Sequence, residues 1–274
     1  MTRAADWQSL LFVPVGAERH LASAIRNRPD AVILDLEDAI ASADKPAARM
    51  RLALDQAALS EAGIACLVRV NAPLRQMADD IAAADLGALS AILVPKVEDT
   101  RSLLNVTELT DGEIPLIALI ETPAALPALA QIAACPAVSG LMLGSEDYSA
   151  ALGIDPSAGG LDVPFALMAA AAAVRGQLVV GFPGSIAEFR DLDRYRNALQ
   201  RGLAMGMNAV AAIHPAQLPV IAEVLSPSPA QIDWAHRVIA SLGEGKGVAV
   251  VDGAMVDAPV HARAKRLLAR VSRP

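Results

Sequence analysis

The sequence predicts an α/β fold, a (β/α)8 TIM barrel followed by a C-terminal helical extension. Apolar runs of strand length recur eight times along the chain, and segments with helical spacing lie between them. Alternating strands and helices are typical of a parallel sheet, and eight such units in 274 residues indicate a closed barrel. Prolines and glycines stand where the strands end and the chain must leave the barrel sharply.

The predicted strands and helices follow one another in regular order. The strand-like runs are LLFV at 10, AVIL at 31, CLVRV at 66, AILV at 91, LIALI at 116, LML at 141, LVV at 178 and AVAAI at 209. Helical spacing is found at residues 17–27, 45–59, 75–85 and 124–134. We assign residues 1–225 to the barrel and expect its loops at the strand ends to form the catalytic face.

Residues 226–274 differ in composition from the barrel. They begin with Pro227 and Pro229 and continue through a helix-like segment at 231–242 and a glycine-rich stretch at 243–253. A closing helix is expected to end near Val271. We interpret this extension as an appendage that reaches another subunit.

Composition and charge exclude several classes of protein. Only 3% of the residues are aromatic and the net charge is −7, which disfavours binding to nucleic acid by stacking or by a basic face. Cys66 and Cys135 have no paired metal or redox spacing, so a reducing cytoplasm is the expected location. The longest alanine-rich stretch, 166–174, is too short to span a bilayer, so no membrane partner is expected.

Two carboxylates carry the strongest functional signal. Glu121 directly follows the run LIALI, and Asp147 lies just beyond the run LMLG. Parallel strands present the residues beyond their carboxyl ends to a shared mouth, so these two acids are predicted to form a divalent metal site. Oxygen ligands suit a hard cation such as Mg²⁺, and the sequence has no cluster of histidine and cysteine for zinc.

Further polar and charged residues stand at or beyond the strand ends. They are Asp35, Glu37, Asp38, Arg69, Asn71, Lys96, Glu98, Glu146 and His214. Each of them singly is as consistent with a solvated loop entrance as with a function. Asp35 is expected to cap the next turn, which leaves Glu37 and Asp38 as the better candidates for holding metal-bound water.

Arg69 is the charged residue of an otherwise apolar strand. An unpaired guanidinium is costly to bury, so Arg69 is expected to face the barrel interior or mouth and to meet an anion. A structural ion pair with Asp35 or Glu121 is the alternative. For Lys96, a salt bridge is at least as well supported as a Schiff base, and for His214 a hydrogen bond that orients the loop is favoured over catalysis.

Short motifs follow one another in order along nearly the whole chain. They are LFVP at 11–14, DLEDAI at 35–40 with Lys45 and Arg49 behind it, VRVN at 68–71, LVPKVE at 93–98, IETP at 120–123, GSED at 144–147, IHPAQ at 213–217 and DGAMVDAP at 252–259. In this order they resemble the citrate lyase beta subunit and malyl-CoA lyase family. Its members are magnesium-dependent enzymes that cleave or form carbon–carbon bonds in 3-hydroxyacyl thioesters.

The resemblance implies a role for each of several residues. Glu121 and Asp147 are implied to bind Mg²⁺. The catalytic set implied is Arg69, Asp257, Glu37 and Asp38. Within that set, Glu37 and Asp38 hold the waters of the metal, Arg69 grips a substrate oxygen and Asp257 transfers a proton. The C-terminal segment that carries Asp257 is implied to lid the site of a neighbouring subunit in a homotrimer or hexamer.

The resemblance also implies the substrates. They are malyl-, citramalyl- or citryl-like thioesters, carried by coenzyme A or by an acyl carrier protein, which yield an acetyl thioester and a 2-oxo acid. Some positions depart from the family pattern: Gln8 replaces a usual arginine, and Ala209 and Val210 replace a Gly-Lys pair. Pro183 replaces the usual acid near the seventh strand. The substrate-binding positions implied are Arg69, Glu121, Asp147 and Pro183.

Three other functions remain open at this point. A class II hydroxy-oxo-acid aldolase would use the same metal chemistry on free 2-oxo acids, without a thioester. An acyl-CoA thioester hydrolase would direct an activated water to the thioester carbonyl. A non-catalytic accessory subunit would bind an acyl carrier protein or a partner enzyme instead.

Overall fold

Eight parallel strands form the main sheet of the computed structural model, which describes residues 7–241 and 247–271. The strands are β1 (Ser9–Pro14), β2 (Ala31–Asp35), β3 (Ala65–Arg69), β4 (Ala91–Val94), β5 (Leu116–Ile120), β6 (Val138–Leu143), β7 (Leu178–Val180) and β8 (Val210–Ala212). Each strand from β1 to β7 pairs with the next along the chain, and β1 also pairs with β8. A parallel bridge between Val180 and Ala209 joins the two remaining edges. The sheet is therefore a nearly closed barrel, which confirms the TIM-barrel prediction.

Helices lie between the strands along the chain. They are α1 (Glu18–Asn27), α2 (Lys45–Glu61), α3 (Leu74–Ala83), α4 (Arg101–Leu109), α5 (Leu129–Ala134), α6 (Ser145–Leu152), α7 (Asp162–Ala173), α8 (Leu192–Ala204) and α9 (Leu218–Leu225). The helix predicted at 124–134 is only partly correct, because Pro123–Ala128 forms a 3₁₀ helix and α5 begins after it. Pro127 has no backbone N–H to donate, which disfavours an α-helix there. Within the described ranges, no helix combines the length and the apolar character needed to cross a bilayer.

The interior of the barrel is filled by apolar side chains. Every residue of β2, β4 and β5 is buried, as expected for a parallel sheet whose two faces are both covered. One cluster collects alternate residues of the strands, among them Leu10, Ile33, Leu67, Leu93, Ile117 and Met142. Because this packed core leaves no room for polar groups, the charged side chains are placed at the strand ends.

A separate compact unit, residues 223–274, comes after the unit formed by residues 1–222. It contains α10 (Pro229–Ser241), an antiparallel hairpin of β9 (Ala249–Val251) and β10 (Ala254–Val256), and α11 (Ala258–Val271). The hairpin was not predicted, although Asp252 and Gly253 at its turn have the positive φ values that a two-residue hairpin loop requires. Residues 242–246, which include the predicted end of the first helix and the start of the glycine-rich stretch, lie outside the described residues.

Candidate functional site

A cavity of about 420 Å³ opens at the carboxyl ends of the barrel strands. Its acidic lining residues are Asp35, Asp38, Glu121, Glu146 and Asp147. Arg69 is the one cationic side chain among the described residues that line it. Much of the remaining wall is apolar and includes Phe12, Leu119, Met142, Leu143, Ile186 and Ile213. Acids that stand far apart in the sequence thus share one cavity.

Glu121 is the most buried acid of this cavity. It is 1% exposed and directly follows β5. Its Oε1 accepts a 2.8 Å hydrogen bond from the backbone N–H of Lys96, and its Oε2 has no hydrogen-bond partner among the described residues. Burial raises the pKa of Glu121 to about 8; the Lys96 N–H opposes this shift, and the Glu37 and Asp147 carboxylates add to it. A buried carboxylate with one oxygen that accepts no hydrogen bond is suited to binding a cation.

Asp147 approaches Glu121 from the neighbouring strand. It lies in the first turn of α6, just after β6, where the helix dipole favours negative charge. Gly144, between β6 and α6, lies against the Glu121 side chain, and a Cβ atom at Gly144 would stand 3.0 Å from Cγ of Glu121. The absence of a side chain at Gly144 therefore makes room for Glu121 beside Asp147.

Arg69 is held in a cluster of acids at the cavity wall. The strand register places it beside Asp35, and its Nε and Nη2 donate hydrogen bonds of 2.7 Å to the two Asp35 oxygens. Its Nη1 donates to Asp38 at 3.3 Å and lies 3.0 Å from Oε2 of Glu37 without an aligned hydrogen bond. Burial acts to lower the pKa of Arg69, but the hydrogen bonds to Asp35 and the charges of Asp35, Glu37 and Asp38 together outweigh it and raise the pKa, so the guanidinium stays positive. The structural ion pair with Asp35 is present, and Arg69 also faces the cavity.

The turn after β2 is held by hydrogen bonds and ion pairs. Asp35 accepts hydrogen bonds from the backbone N–H groups of Glu37 and Ala39, so it caps the turn. Burial raises the pKa of Glu37, although the charge of Arg69 opposes the shift. Nζ of Lys96 lies 3.2 Å from Oε1 of Glu37, which makes Lys96 part of a salt bridge.

A buried polar network supports the same turn. Asp80, on α3, is fully buried and accepts hydrogen bonds of 2.7 Å from Nε of Arg49 and from both the backbone N–H and the side-chain amide of Asn71. The Asn71 amide also donates to the carbonyl of Leu36 at 3.0 Å. The network therefore fixes the peptide that precedes the carboxylates at 37–38.

Asp80 lies outside the sequence motifs, but its position on a helix could have indicated its buried role. It shares the buried face of α3 with Met77 and Ile81. A single acid on the apolar face of a helix needs a buried partner, which indicates a polar network. The apolar lining residues Phe12 and Ile186 have no comparable signal, because they resemble ordinary core positions until the fold is known.

Several residues singled out from the sequence are not among those that line the cavity, namely Glu37, Asn71, Lys96, Glu98, Pro183, His214 and Asp257. Pro183 is buried after β7, and its carbonyl accepts a 2.6 Å hydrogen bond from Arg201. The Nδ1 atom of His214 accepts a hydrogen bond from the backbone N–H of Ala216. His214 therefore orients its loop, which is the role that the sequence favoured. Asp257 lies in the C-terminal unit, where its side chain accepts from the backbone N–H of Val260 and caps α11.

The oxygen donors of the cavity fit a hard divalent cation. Within residues 7–241 and 247–271, no three or more histidine, cysteine, aspartate or glutamate side chains are arranged to hold a metal. Mg²⁺ does not require such a group, since one or two carboxylates commonly bind it and it keeps several waters. Glu121, whose Oε2 accepts no hydrogen bond from the described residues, and the adjacent Asp147 offer such a pair of carboxylates. Their role as metal ligands stays a prediction.

The chain matches known proteins over most of its length. The family described as HpcH/HpaI aldolase/citrate lyase matches residues 8–215. The (3S)-malyl-CoA thioesterase of Cereibacter sphaeroides is 35% identical over 279 residues, which cover 98% of this chain and 95% of that protein. A citrate lyase subunit beta-like protein of Mycobacterium tuberculosis is 34% identical over 269 residues, covering 95% and 94%. One similar solved structure is that of protein CitE from Mycobacterium tuberculosis in complex with magnesium, acetoacetate and coenzyme A. It aligns with a TM-score of 0.80 and 30% sequence identity, and the alignment covers 98% of this chain and 100% of that chain.

Proposed function

The chain belongs to the HpcH/HpaI aldolase/citrate lyase family, and we propose that it is a Mg²⁺-dependent carbon–carbon lyase acting on a small 3-hydroxyacyl thioester. The proposed products are an acetyl thioester and a 2-oxo acid. The observation that carries this proposal is the buried Glu121, whose Oε2 accepts no hydrogen bond from the described residues. Glu121 is next to Asp147 and lines the same cavity as Arg69. The magnesium, acetoacetate and coenzyme A bound to the CitE protein of Mycobacterium tuberculosis support it.

The metal-binding residues in this proposal are Glu121 and Asp147. When bound, Mg²⁺ supplies Lewis-acid polarisation of the oxygens of the acid that it chelates. The turn with Glu37 and Asp38 is close enough for its carboxylates to orient water at the cavity. Both side chains contact Arg69, which lines the same cavity.

Arg69 supplies a fixed positive charge at the cavity wall. Three of its five N–H donors are used by Asp35 and Asp38, so the others can meet a substrate oxygen. A donor that stabilises developing negative charge typically contributes about two to three decades in rate. We therefore assign to Arg69 the stabilisation of charge on the substrate during bond cleavage.

Two proton transfers complete the proposed reaction. A base removes the proton of the 3-hydroxyl group, the bond between C2 and C3 breaks, and its electron pair passes to the thioester fragment as an enolate. The enolate carbon then takes a proton to give the acetyl thioester, while the former hydroxyl carbon becomes the carbonyl of the 2-oxo acid. We propose Asp257 of a neighbouring copy as the proton-transfer residue, on the resemblance of the DGAMVDAP motif.

Thioester hydrolysis is a second candidate. It is favoured by the relatives named (3S)-malyl-CoA thioesterase, which align with 98% of this chain. In that reaction a water attacks the thioester carbonyl, and the products are a free hydroxy acid and the free thiol. The same cavity would accommodate this reaction, and the carboxylates of Glu37 and Asp38 would orient the attacking water.

A mass-spectrometric screen separates the two reactions. The purified protein is incubated with malyl-CoA, citramalyl-CoA and citryl-CoA, with Mg²⁺ or with EDTA. Metal-dependent formation of acetyl-CoA and the matching 2-oxo acid is the result expected for the lyase. Free CoA with an intact hydroxy acid supports the hydrolase instead. Glu121→Gln should abolish turnover, whereas Glu108→Gln, on the exposed face of α4, is the control that should not.

A further inference from the structure

The outer side of α7 carries no charge along its whole length. No charged residue lies between Asp162 and Arg175, and every exposed residue of this stretch is apolar. The exposed residues are Val163, Ala166, Leu167, Ala170, Ala173 and Val174. Val163 and Val174 are 69% and 85% exposed, and Leu167 is 48% exposed. A continuous apolar surface of this kind is uncommon on monomeric proteins and usually marks an interaction site.

The uncharged surface continues onto the elements beside α7. The 3₁₀ helix Pro123–Ala128 and α5 both pack against α7. Residues 122–145, which include these two elements, have no charged residue either. The exposed residues among them are Ala124, Pro127, Ala130, Gln131 and Pro136. We call these five residues and the six exposed residues of the α7 stretch the uncharged face.

The outer surface of α4 shows the contrast. Leu104 is 55% exposed, but Arg101 and Glu108 are exposed three residues before it and four residues after it. Residues at these spacings share one side of a helix, so charges surround this leucine. A single exposed leucine among charges is ordinary surface. The uncharged face instead has the composition of an interface centre, where charged residues are depleted.

We propose that the uncharged face binds a second copy of this chain about a two-fold axis, with the two α7 helices antiparallel. The inference goes beyond the proposed function and does not depend on it. Positions 163 and 174 have the same midpoint along the helix as positions 167 and 170. A two-fold axis at that midpoint therefore sets Val163 against Val174 of the second copy and Leu167 against Ala170. A large side chain then meets a small one, which lets the two helices approach closely.

The charges at the two ends of α7 favour a second copy as the partner. The same axis sets Asp162 of each copy beside Arg175 of the other. Arg175 is exposed and makes no ion pair with the described residues, and Asp162 reaches Nε of Arg201 only at 3.8 Å. An acid at one end and a base at the other make the face self-complementary, as a two-fold contact requires. A lipid surface would be favoured by basic residues around the face, which its ends do not provide.

The size of the uncharged face sets the expected strength of the contact. A standard interface uses about 20–30 residues on each side, and the uncharged face offers eleven exposed residues. The contact should therefore be weak, with a dissociation constant in the micromolar range.

Sedimentation equilibrium of the full chain, from about 1 µM to about 200 µM, tests the contact. The mass of the wild-type assembly should double as the concentration rises. Leu167→Glu should weaken this doubling at least about a hundredfold, because each copy would bury an unpaired carboxylate. The control Leu104→Glu, the same change at a similarly exposed leucine of α4, should behave as the wild type. A mixture of Leu167→Glu and Leu167→Lys chains should double again, because the two 167 positions lie near the axis.

Cysteine cross-linking tests the antiparallel register. A mixture of Val163→Cys and Val174→Cys chains should form disulfide-linked dimers on mild oxidation. Val163→Cys chains alone should not, because their two cysteines would lie about 16 Å apart along the helix. The wild type is a suitable background, since Cys66 and Cys135 are both buried. Cross-linking of Val163→Cys chains alone would overturn the antiparallel pairing.

Two further outcomes would overturn the second copy as the partner. The first is an equal mass for the wild type, Leu167→Glu and Leu104→Glu at every concentration. The second is binding of the wild type, but not of Leu167→Glu, to vesicles of phosphatidylcholine and phosphatidylglycerol without any doubling of mass, which would assign the face to lipid. Ala170→Glu provides a second variant of the same face if Leu167→Glu does not fold.

Discussion

Replacing Glu121 by glutamine should change how the stability of the protein depends on pH. The carboxylate is 1% exposed, and the Glu37 and Asp147 carboxylates act on it unfavourably. Glutamine keeps an oxygen that can accept the hydrogen bond from the Lys96 N–H, fills the same space and has no ionisable group. The substitution therefore isolates the cost of burying this charge.

The size of the effect is set by the difference in pKa between the folded and unfolded chains. The pKa of Glu121 is about 8 in the folded chain, against an ordinary value of 4.5. Between these values the folded chain keeps a proton that the unfolded chain releases, so the wild type loses about 1.4 kcal/mol of stability per pH unit as the pH rises. The glutamine variant has no such loss. Its advantage in the free energy of unfolding should grow to about 5 kcal/mol by the upper pKa and then level off.

Urea unfolding in EDTA, repeated from about pH 5 to about pH 9, measures this difference at each pH. Glu108→Gln, which changes an exposed carboxylate on α4, should differ from the wild type by a constant amount. Adding Mg²⁺ above the upper pKa should stabilise the wild type and leave Glu121→Gln nearly unchanged, because a bound ligand stabilises only the state that binds it. A difference between Glu121→Gln and the wild type that does not vary with pH would refute the reasoning.

Three further predictions test the residues that support the site and the sharing of the site between neighbouring subunits. Asp80→Ala should lower the free energy of unfolding by about 3–5 kcal/mol in urea titrations, because it leaves Arg49 without its buried partner, and Asp80→Asn should lower it less. Gly144→Ala should weaken Mg²⁺ binding at least about tenfold by calorimetry with folding retained, since the new Cβ would stand 3.0 Å from Cγ of Glu121. Mixing Asp257→Ala with Glu121→Ala subunits should restore some lyase activity if neighbours share a site; no recovery in proven mixed oligomers would reject the sharing.

Most of the barrel could be predicted from the sequence because each of its strands is a short apolar run bounded by turn residues. Burial on both faces of a parallel sheet makes such runs nearly continuous, and all residues of β2 and β5 are indeed buried. The hairpin of β9 and β10 was missed although its Asp252-Gly253 turn is a usual hairpin signal. Its strands have only three residues each, so their alternation is too short to be distinctive.

The acids of the site could be predicted because a parallel barrel brings the residues just beyond its strands to one face. The partner of Arg69 could not, since the choice between Asp35 and Glu121 depends on which strands are adjacent and in what register. Pairing of β2 with β3 sets Asp35 directly beside Arg69 and settles that choice. Asp80 depends on packing between helices, which no local pattern specifies.

One oxygen of Glu121 is held by a main-chain donor, the N–H of Lys96, and this has a consequence for sequence change. Any residue except proline supplies that N–H, so mutation at position 96 need not release Glu121. The φ of 52° at Lys96 does restrict the choice, because glycine, asparagine and aspartate tolerate this region best. The side chain at 96, which pairs with Glu37, can therefore vary in charge during evolution while Glu121 keeps its orientation. The charge that faces Glu37 can thus be altered independently of the orientation of Glu121.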